Sequence, residues 1–379
     1  MPGVPEHQEP SMEQSEQDPP NPKTARLPRL KAGPAGAAIL LLIALPCFLL
    51  LPWSCSSQGD STSPRYDDQR LGISAVHDEN AQFKPPGKVN FLRQQRQGEA
   101  IIETEASAFE PLGTDRLGRS MLVRCLMGGA ISLGVGISAA LVAVFIGVTW
   151  GALAGYIGGR TDAFMMRVVD IFYGLPYLLL VIMISVMISG LTDRLDAHIS
   201  EQQAQAVEQG TDYEPTFMLR VIQNNPLLIN LVTLVIAIGG VSWLTMARVI
   251  RGQVLSLRTM PYIEAARAQG MGPARIIRVH LLPNLIGPII VYSTLAVPQA
   301  ILQESFLSFL GIGVQEPLPS WGQLASEGVK ELPALALPEL PVNWWVLLFP
   351  CLLLGLTLLS LNFLGDALRE RFDPRSAKN

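Results

Sequence analysis

Charge is what this chain has least of: Lys, Arg, Asp and Glu make up 16% of its 379 residues, against 49% hydrophobic ones. That balance excludes an ordinary soluble domain. Histidine is scarcer still. His7, His77, His198 and His280 are scattered without an HExxH or comparable ligand spacing, so no metal centre is expected. The four cysteines include no CxxC pair and no Cys/His cluster, which excludes a thiol-based zinc or dithiol site. Nor is there a G-x-x-x-x-G-K-[ST] stretch to cradle phosphates, because Gly87-Lys88 is followed by Val89 and lacks the first glycine. No GxSxG nucleophile signature occurs. Gly134-x-Gly136 lacks the third glycine and falls within an apolar run, so a dinucleotide fold is excluded. Catalytic residues, metal ligands and a nucleic-acid partner are therefore not expected.

What fills the chain instead is apolar runs with basic residues at their edges, at a mean hydropathy of +0.31. The net charge of −4 says less than its placement. Residues 1–31 are rich in Pro, Glu, Gln and Ser and cannot bury enough apolar surface to fold, which predicts a disordered cytoplasmic tail. Lys23, Arg26, Arg29 and Lys31 then precede the apolar run 32–53, a length that crosses one bilayer, with its N-terminal side in the cytoplasm by the positive-inside rule. Pro52 and Trp53 before Cys55 argue against lipid attachment there, and no small-x-small site closely follows Leu51, so the run is expected to remain as an anchor.

Residues 54–124 read as an external loop ending in an interfacial segment, where Asp115 is expected to cap a short amphipathic helix; substrate contact is the alternative. Five further crossings are expected within a core over 125–366, at about 125–158, 163–191, 227–249, 285–309 and 344–364. Between them lie a polar external insert over 192–226 and a Pro-rich external loop over 313–342, and a cytoplasmic tail follows over 367–379. The first core run carries small residues every fourth position, at Gly128, Ser132, Gly136 and Ala140, and again at Gly147, Gly151, Gly155 and Gly159. Stripes of this kind let helix backbones approach closely in lipid, where no hydrophobic drive holds helices together. In the next run Asp170 lies one turn after Arg167, spacing that predicts an ion pair, and Pro176 predicts a kink. Arg248, Arg251, Arg258, Arg369 and Arg371 place their neighbourhoods in the cytoplasm. The expected fold is all-α: a polytopic membrane bundle of six helices with both termini inside.

One polar, basic stretch interrupts this pattern, Pro261 to Pro288, reading PYIEAARAQGMGPARIIRVHLLPNLIGP. Pro261 and Pro273 suit first helical positions, and Gly270 and Gly272 suit a left-handed turn between them. Glu264 lies in the first turn, where the helix dipole favours a carboxylate. Ala265, Ala266 and Ala268 leave the first helix little bulk. The stretch therefore predicts a helix, a tight turn and a second helix, the first shaped to enter a partner's groove; a solvated connecting loop is the plain alternative.

Glu264-Ala265-Ala266, Gly270 four residues on, and Leu282-Pro283 flanked by His280 and Asn284 resemble the EAA loop of ABC-importer permease subunits. The variant is similar to the dipeptide and oligopeptide branch. LGTDRLGR at 112–119, AGYIGGRTDAFMMRVVDIFYGLP at 154–176 and ESFLSFLGIGVQEPLPSWG at 304–322 resemble the same branch. The likeness covers roughly residues 112–190 and 227–375, and the insert at 192–226 departs from it.

The resemblance implies a type I ABC-importer permease in a bacterial-type inner membrane, not an enzyme. Its cytoplasmic EAA loop, 252–284, would carry the ATPase-docking residues Glu264, Ala265, Ala266, Gly270, His280, Pro283 and Asn284, the last three joining the docked helix to the next crossing. Implied partners are a second homologous permease subunit, two ATP-binding subunits and an extracytoplasmic solute-binding protein. The implied cargo is a dipeptide or oligopeptide, with no cofactor in this chain and ATP and Mg bound by the partner ATPases. Glu304 and Ser305 are candidates for the translocation path or a gate; an interfacial Glu304 reaching external water is the alternative. A secondary transporter or channel working without ATPases is the competing function. Against it stand the lack of a visible inverted repeat and the scarcity of intramembrane ionisable residues.

Overall fold

The computed structural model describes residues 32–54, 82–97, 100–208, 225–332 and 343–372. The expected tail over 1–31, much of the 54–124 loop, the latter part of the 192–226 insert, the Pro-rich stretch 333–342 and residues 373–379 lie outside these. The elements are α1 (Ala32–Ser54), a hairpin of β1 (Gly87–Gln97) and β2 (Ala100–Glu110), α2 (Met121–Ile157), α3 (Gly159–Tyr173), α4 (Tyr177–Glu208), α5 (Pro226–Leu257), α6 (Pro261–Ala268), α7 (Pro273–Ile276), α8 (Leu282–Phe309), α9 (Trp321–Lys330) and α10 (Trp344–Phe372). A π turn, Ile277–Leu281, joins α7 to α8 into one helical run. Among the described residues, six helical stretches are long and apolar enough to cross a membrane: Gly33–Pro52, Met121–Ile157, Tyr177–Gln202, Leu227–Leu257, Pro273–Phe309 and Trp344–Arg371. Leu42, Leu49, Phe145 and Leu179 stand exposed on their outer faces, as side chains bathed in lipid do.

Helix α2 is the spine, packed along most of its length against α5. Its small residues do not form one straight seam. Each four-residue step advances about 40° beyond a full turn, so the stripe winds from one neighbour to the next. Gly128 lies against Ser320 and Leu324, Gly136 against Ile301 of α8, and Gly147, Gly151 and Gly155 against Met246, Ala247 and Val254 of α5. Gly159 leaves the stripe altogether, since it opens α3 with nothing near its missing side chain. The central core joins α2, α4, α5 and α8 through residues such as Val135, Ala139, Leu180, Ile238 and Leu307. Helix α1 pairs with α10, Gly33 meeting Ala367 and Gly36 meeting Phe363, so Ala32 and Phe372 lie at the same end of the bundle.

Several boundaries differ from those expected. The third crossing starts at Tyr177 and not near Ala163, because the helix breaks over Gly174–Pro176: Pro176 has no N–H to continue the ladder and disfavours helical geometry at Leu175. Residues 159–173 are instead a separate amphipathic helix. Asp170 pairs not with Arg167 but with Arg248 of α5, at 2.7 Å. The polar start of the 192–226 insert continues α4 to Glu208. The 54–124 region contains the β-hairpin, registered from Gly87↔Glu110 to Gln97↔Ala100. Its sequence signal is the alternation in ETEASAFE after Gly98-Glu99, a Gly-X pair suited to a tight hairpin turn. Helix α2 begins at Met121 rather than 125, α9 occupies part of the 313–342 loop with Ser320 as its cap (Gln323 N to Ser320 Oγ, 3.2 Å), and α10 runs through 367–372.

Asp115 caps a turn, not a helix. Its Oδ1 accepts from the backbone N–H groups of Leu117 and Arg119 at 2.9 and 2.8 Å. Its Oδ2 accepts from Arg119 Nε at 2.7 Å and Arg124 Nη1 at 2.8 Å. Arg124 continues bidentately to Glu327 of α9 at 2.6 and 2.9 Å. A buried charge chain thus ties the segment before α2 to α9.

Candidate functional site

The stretch 258–284 closes one end of the bundle, beside the C-termini of α2 and α5. Met260 is extended and Pro261 opens α6, where its missing N–H would have had no helical partner in any case. Ile263 and Ala266, one turn apart, are buried against Ile250, Val254, Ile276 and Leu281. Tyr262, Glu264, Ala265, Ala268 and Gln269 face outward. Ala266 therefore faces its own subunit, where its small side chain lets α6 lie close on the bundle.

The end of α6 is a Schellman closure. Gly270 N donates to Arg267 O at 2.9 Å and Met271 N to Ala266 O at 3.1 Å. Gly270 has φ +74°, the left-handed conformation that the position after the cap demands and that costs other residues roughly 1–2 kcal/mol. Met271 then packs on the same core as Ala266. Gly272 does not share the left-handed turn; at φ −68°, ψ 154° it is the extended residue before Pro273.

Downstream, no break separates the expected second helix from the next crossing. At the π turn the bonding register shifts, the Leu282 N–H reaching the Ile277 carbonyl, and Asn284 Nδ2 donates to the His280 carbonyl at 2.6 Å. The His280 ring is half-buried 6.4 Å from that of Tyr262, and its Nε2 has no hydrogen-bond partner among the described residues.

Charge fixes this end to the crossings. Arg258 Nη1 donates to Gly155 O at 3.0 Å, and the Arg267 guanidinium lies 5.2 Å over the Tyr156 ring. Arg251 grips Asp162 of α3 with both branches, at 2.5 and 2.6 Å. Hydrogen bonding by Arg251 holds the Asp162 carboxyl below its ordinary value, against the opposing effect of burial and with help from the charges of Arg251 and Arg258. A depressed folded-state value means that the pair's stabilisation is complete above the unfolded carboxylate value of about 3.9 and disappears as pH falls through the folded one. The gap in thermal unfolding temperature between the parent and Arg251→Gln should thus hold steady from pH 7 to about 5, begin to narrow only near about 4, and close as pH falls through the lower folded-state value of Asp162; a gap already changing between pH 7 and 6 would contradict this.

Glu304 and Ser305 lie elsewhere, on α8 toward the other end, and both are buried. Glu304 is fully enclosed, with 0% of its surface exposed. Ser308 Oγ donates to its Oε1 at 2.8 Å and Ser305 Oγ to its Oε2 at 3.3 Å, with Ser132 of α2 and Ser320 also hydrogen-bonded to it. The serines extend outward to backbone: Val314 N donates to Ser308 Oγ and Trp321 N to Ser132 Oγ. This carboxyl fastens the 310–320 segment to the bundle.

The residue before it faces the other way. Gln303, with Gln299, Tyr177, Ser242 and Thr245, lines a cavity of about 390 Å³ between α4, α5 and α8. None of these five was singled out from sequence, although glutamines four apart in an apolar run were the available signal.

Six crossings around a small-residue spine, with an amphipathic helix clamped across the ends of two of them, define a membrane permease subunit. The chain belongs to the family of binding-protein-dependent transport system inner membrane components, whose model matches residues 147–378. It is 40% identical over 269 residues to the dipeptide transport system permease protein DppC of Bacillus subtilis, covering 71% of this chain and 70% of that one. The oligopeptide transport system permease proteins OppC of Haemophilus influenzae and Escherichia coli K12 are 39% and 40% identical over 263 residues, 69% of this chain and 70% and 72% of theirs.

Proposed function

We propose that this chain is one permease subunit of a peptide importer, driven by separate ATP-binding subunits that dock on α6. It forms half of a translocation path with a second, homologous permease, and receives dipeptides or oligopeptides from a solute-binding protein outside. ATP and Mg belong to the docked ATPases, and this chain carries out no covalent chemistry. The 258–284 end lies in the cytoplasm with both termini. The dipeptide and oligopeptide permeases among its relatives support the cargo, and the arginines at that end support the orientation.

The observation that carries the reading is the two-sided build of α6. Its inner face is sealed by Ile263 and Ala266, while Glu264, Ala265 and Ala268 are left outward with little bulk to obstruct a groove. Since α6 is fixed to α5 and, through the π turn, to α8, a push on it is delivered to two crossings as rigid-body motion.

Purified from its host in mild detergent, the chain should bring ATP-binding subunits with it. Gly270→Val, which places a β-branched residue at positive φ, should lower ATP-driven peptide uptake at least tenfold while membrane insertion stays normal. Normal uptake by that variant, together with purification free of any ATPase, would overturn the docking role.

A further inference from the structure

The cavity between α4, α5 and α8 lies level with the middle of α2. Gly239, one turn before Ser242, lies against Ala139, and Ile301, two residues before Gln303, against Gly136; both contacts fall near the middle of α2. Tyr177 Oη donates to Gln303 Oε1 at 2.5 Å and lies 3.0 Å from Ser242 Oγ. Interhelical bonds of this kind also serve merely to join helices. Here, however, hydrogen-bonding capacity is left over. Among the described residues, no partner is recorded for the Gln303 amide nitrogen, the Gln299 side chain or the Thr245 hydroxyl, and Gln299 and Thr245 are exposed. Lipid cannot satisfy such groups, so this face meets water, a partner or cargo.

The chemistry of the lining restricts the cargo. It contains amides and hydroxyls, which both donate and accept, and no charged group; Phe172, Tyr173 and Leu175 supply an apolar wall. The nearby charges engage one another, Arg248 binding Asp170 at 2.7 Å and stacking 3.9 Å from the centre of the Tyr173 ring. A neutral, two-way hydrogen-bonding surface cannot select acidic or basic side chains, but it matches what every peptide shares, the N–H and C=O of its main chain. The volume lies within the roughly 300–1,000 Å³ usual for ligand sites.

We propose that Gln299, Gln303, Ser242, Thr245 and Tyr177 form this subunit's half of a station within the helical bundle that holds peptide cargo by its main-chain amides, irrespective of side chain. This rests on the peptide-importer reading. The test uses the whole importer in proteoliposomes, supplied with binding protein carrying labelled acidic, basic or apolar peptides. Gln299→Leu and Gln303→Leu, which suit hydrocarbon at least as well as glutamine, should each cut peptide delivered per ATP hydrolysed at least tenfold, equally for all three classes. In a chain otherwise native, Thr245→Cys should react with a membrane-impermeant thiol reagent and be protected by peptide. Full delivery by both leucine variants overturns the station, as does a Thr245→Cys inert in every nucleotide state, which would leave only a helix-joining cluster. A loss confined to one peptide class overturns main-chain recognition. A wild-type importer that moves no peptide overturns the peptide reading and this occupant with it, and reactivity of Thr245→Cys separates that failure from the absence of a water-lined site.

Discussion

Gly151→Leu is expected to abolish recovery of a well-folded chain. A β-carbon at 151 would stand 2.4 Å from the Ala247 carbonyl oxygen, 3.0 Å from the Arg251 backbone nitrogen and 3.0 Å from the Ile250 Cβ. Two of these are backbone atoms of α5 and cannot rotate away. Gly147 and Gly155 make the same approach one turn to either side, so α5 cannot tilt to make room without losing both. In lipid the lost contact has no hydrophobic compensation, because a separated helix is as well solvated by acyl chains as a packed one. The damage also spreads. Arg248 and Arg251 of α5 hold α3, and α5 leads directly into α6, so displacing it disorganises the proposed docking end. Gly190→Leu is the control, since Gly190 is exposed on α4 with nothing near it. Monodisperse yield after detergent extraction should fall at least tenfold for Gly151→Leu and little for Gly190→Leu. Equal yields would mean that α2 and α5 do not pack as described.

The second large effect concerns the opposite end. Arg124→Ala should destabilise the fold by about 3–5 kcal/mol, the usual result of removing one partner from a buried ion pair. Arg124 is 1% exposed, Asp115 1% and Glu327 18% in their side chains; without its guanidinium, two carboxylates would be left with Arg119 as their shared counter-charge in a poorly hydrated site. Arg124→Lys should rescue little, because one ammonium cannot reproduce a bidentate grip on Glu327 together with a bond to Asp115. Neutralising all four members, as Asp115→Asn, Arg119→Gln, Arg124→Met and Glu327→Gln, should recover most of the loss, since a buried ion network is often no better than a neutral replacement. Thermal unfolding in detergent would show this ordering. An Arg124→Ala chain as stable as the parent would show that the network contributes nothing.

Much of the architecture was readable along the chain. Crossing a bilayer demands some twenty apolar residues per helix, and a constraint that local leaves a local mark; the six crossings, the spacing of small residues on α2 and the Pro-Gly punctuation of α6 all follow from nearest-neighbour chemistry. The α3–α4 break was half readable: Pro176 marked a distortion, but a kink and a full interruption look alike until the flanking helices have partners. The hairpin escaped notice because its alternation lies between polar segments that resemble loop.

The candidate site divides along the same line. Glu264 and Gly270 could be singled out because helix-dipole and φ requirements are properties of consecutive residues, whereas Pro283 stood out only through the family resemblance. That Ala266 faces inward, that Asp170 belongs to Arg248, and that Glu304 is enclosed by serines while Gln303 lines a cavity depended on how the helices are rotated against one another. A helix turns about 100° per residue, so adjacent Gln303 and Glu304 point to different neighbours, and only packing selects which. The sequence by itself determined a six-crossing permease interrupted by one basic helix-turn-helix stretch, because membrane solvation acts on each segment separately. The tertiary structure alone decided which polar residues lock the bundle and which remain unspent at its centre, because hydrogen-bond satisfaction is settled between helices.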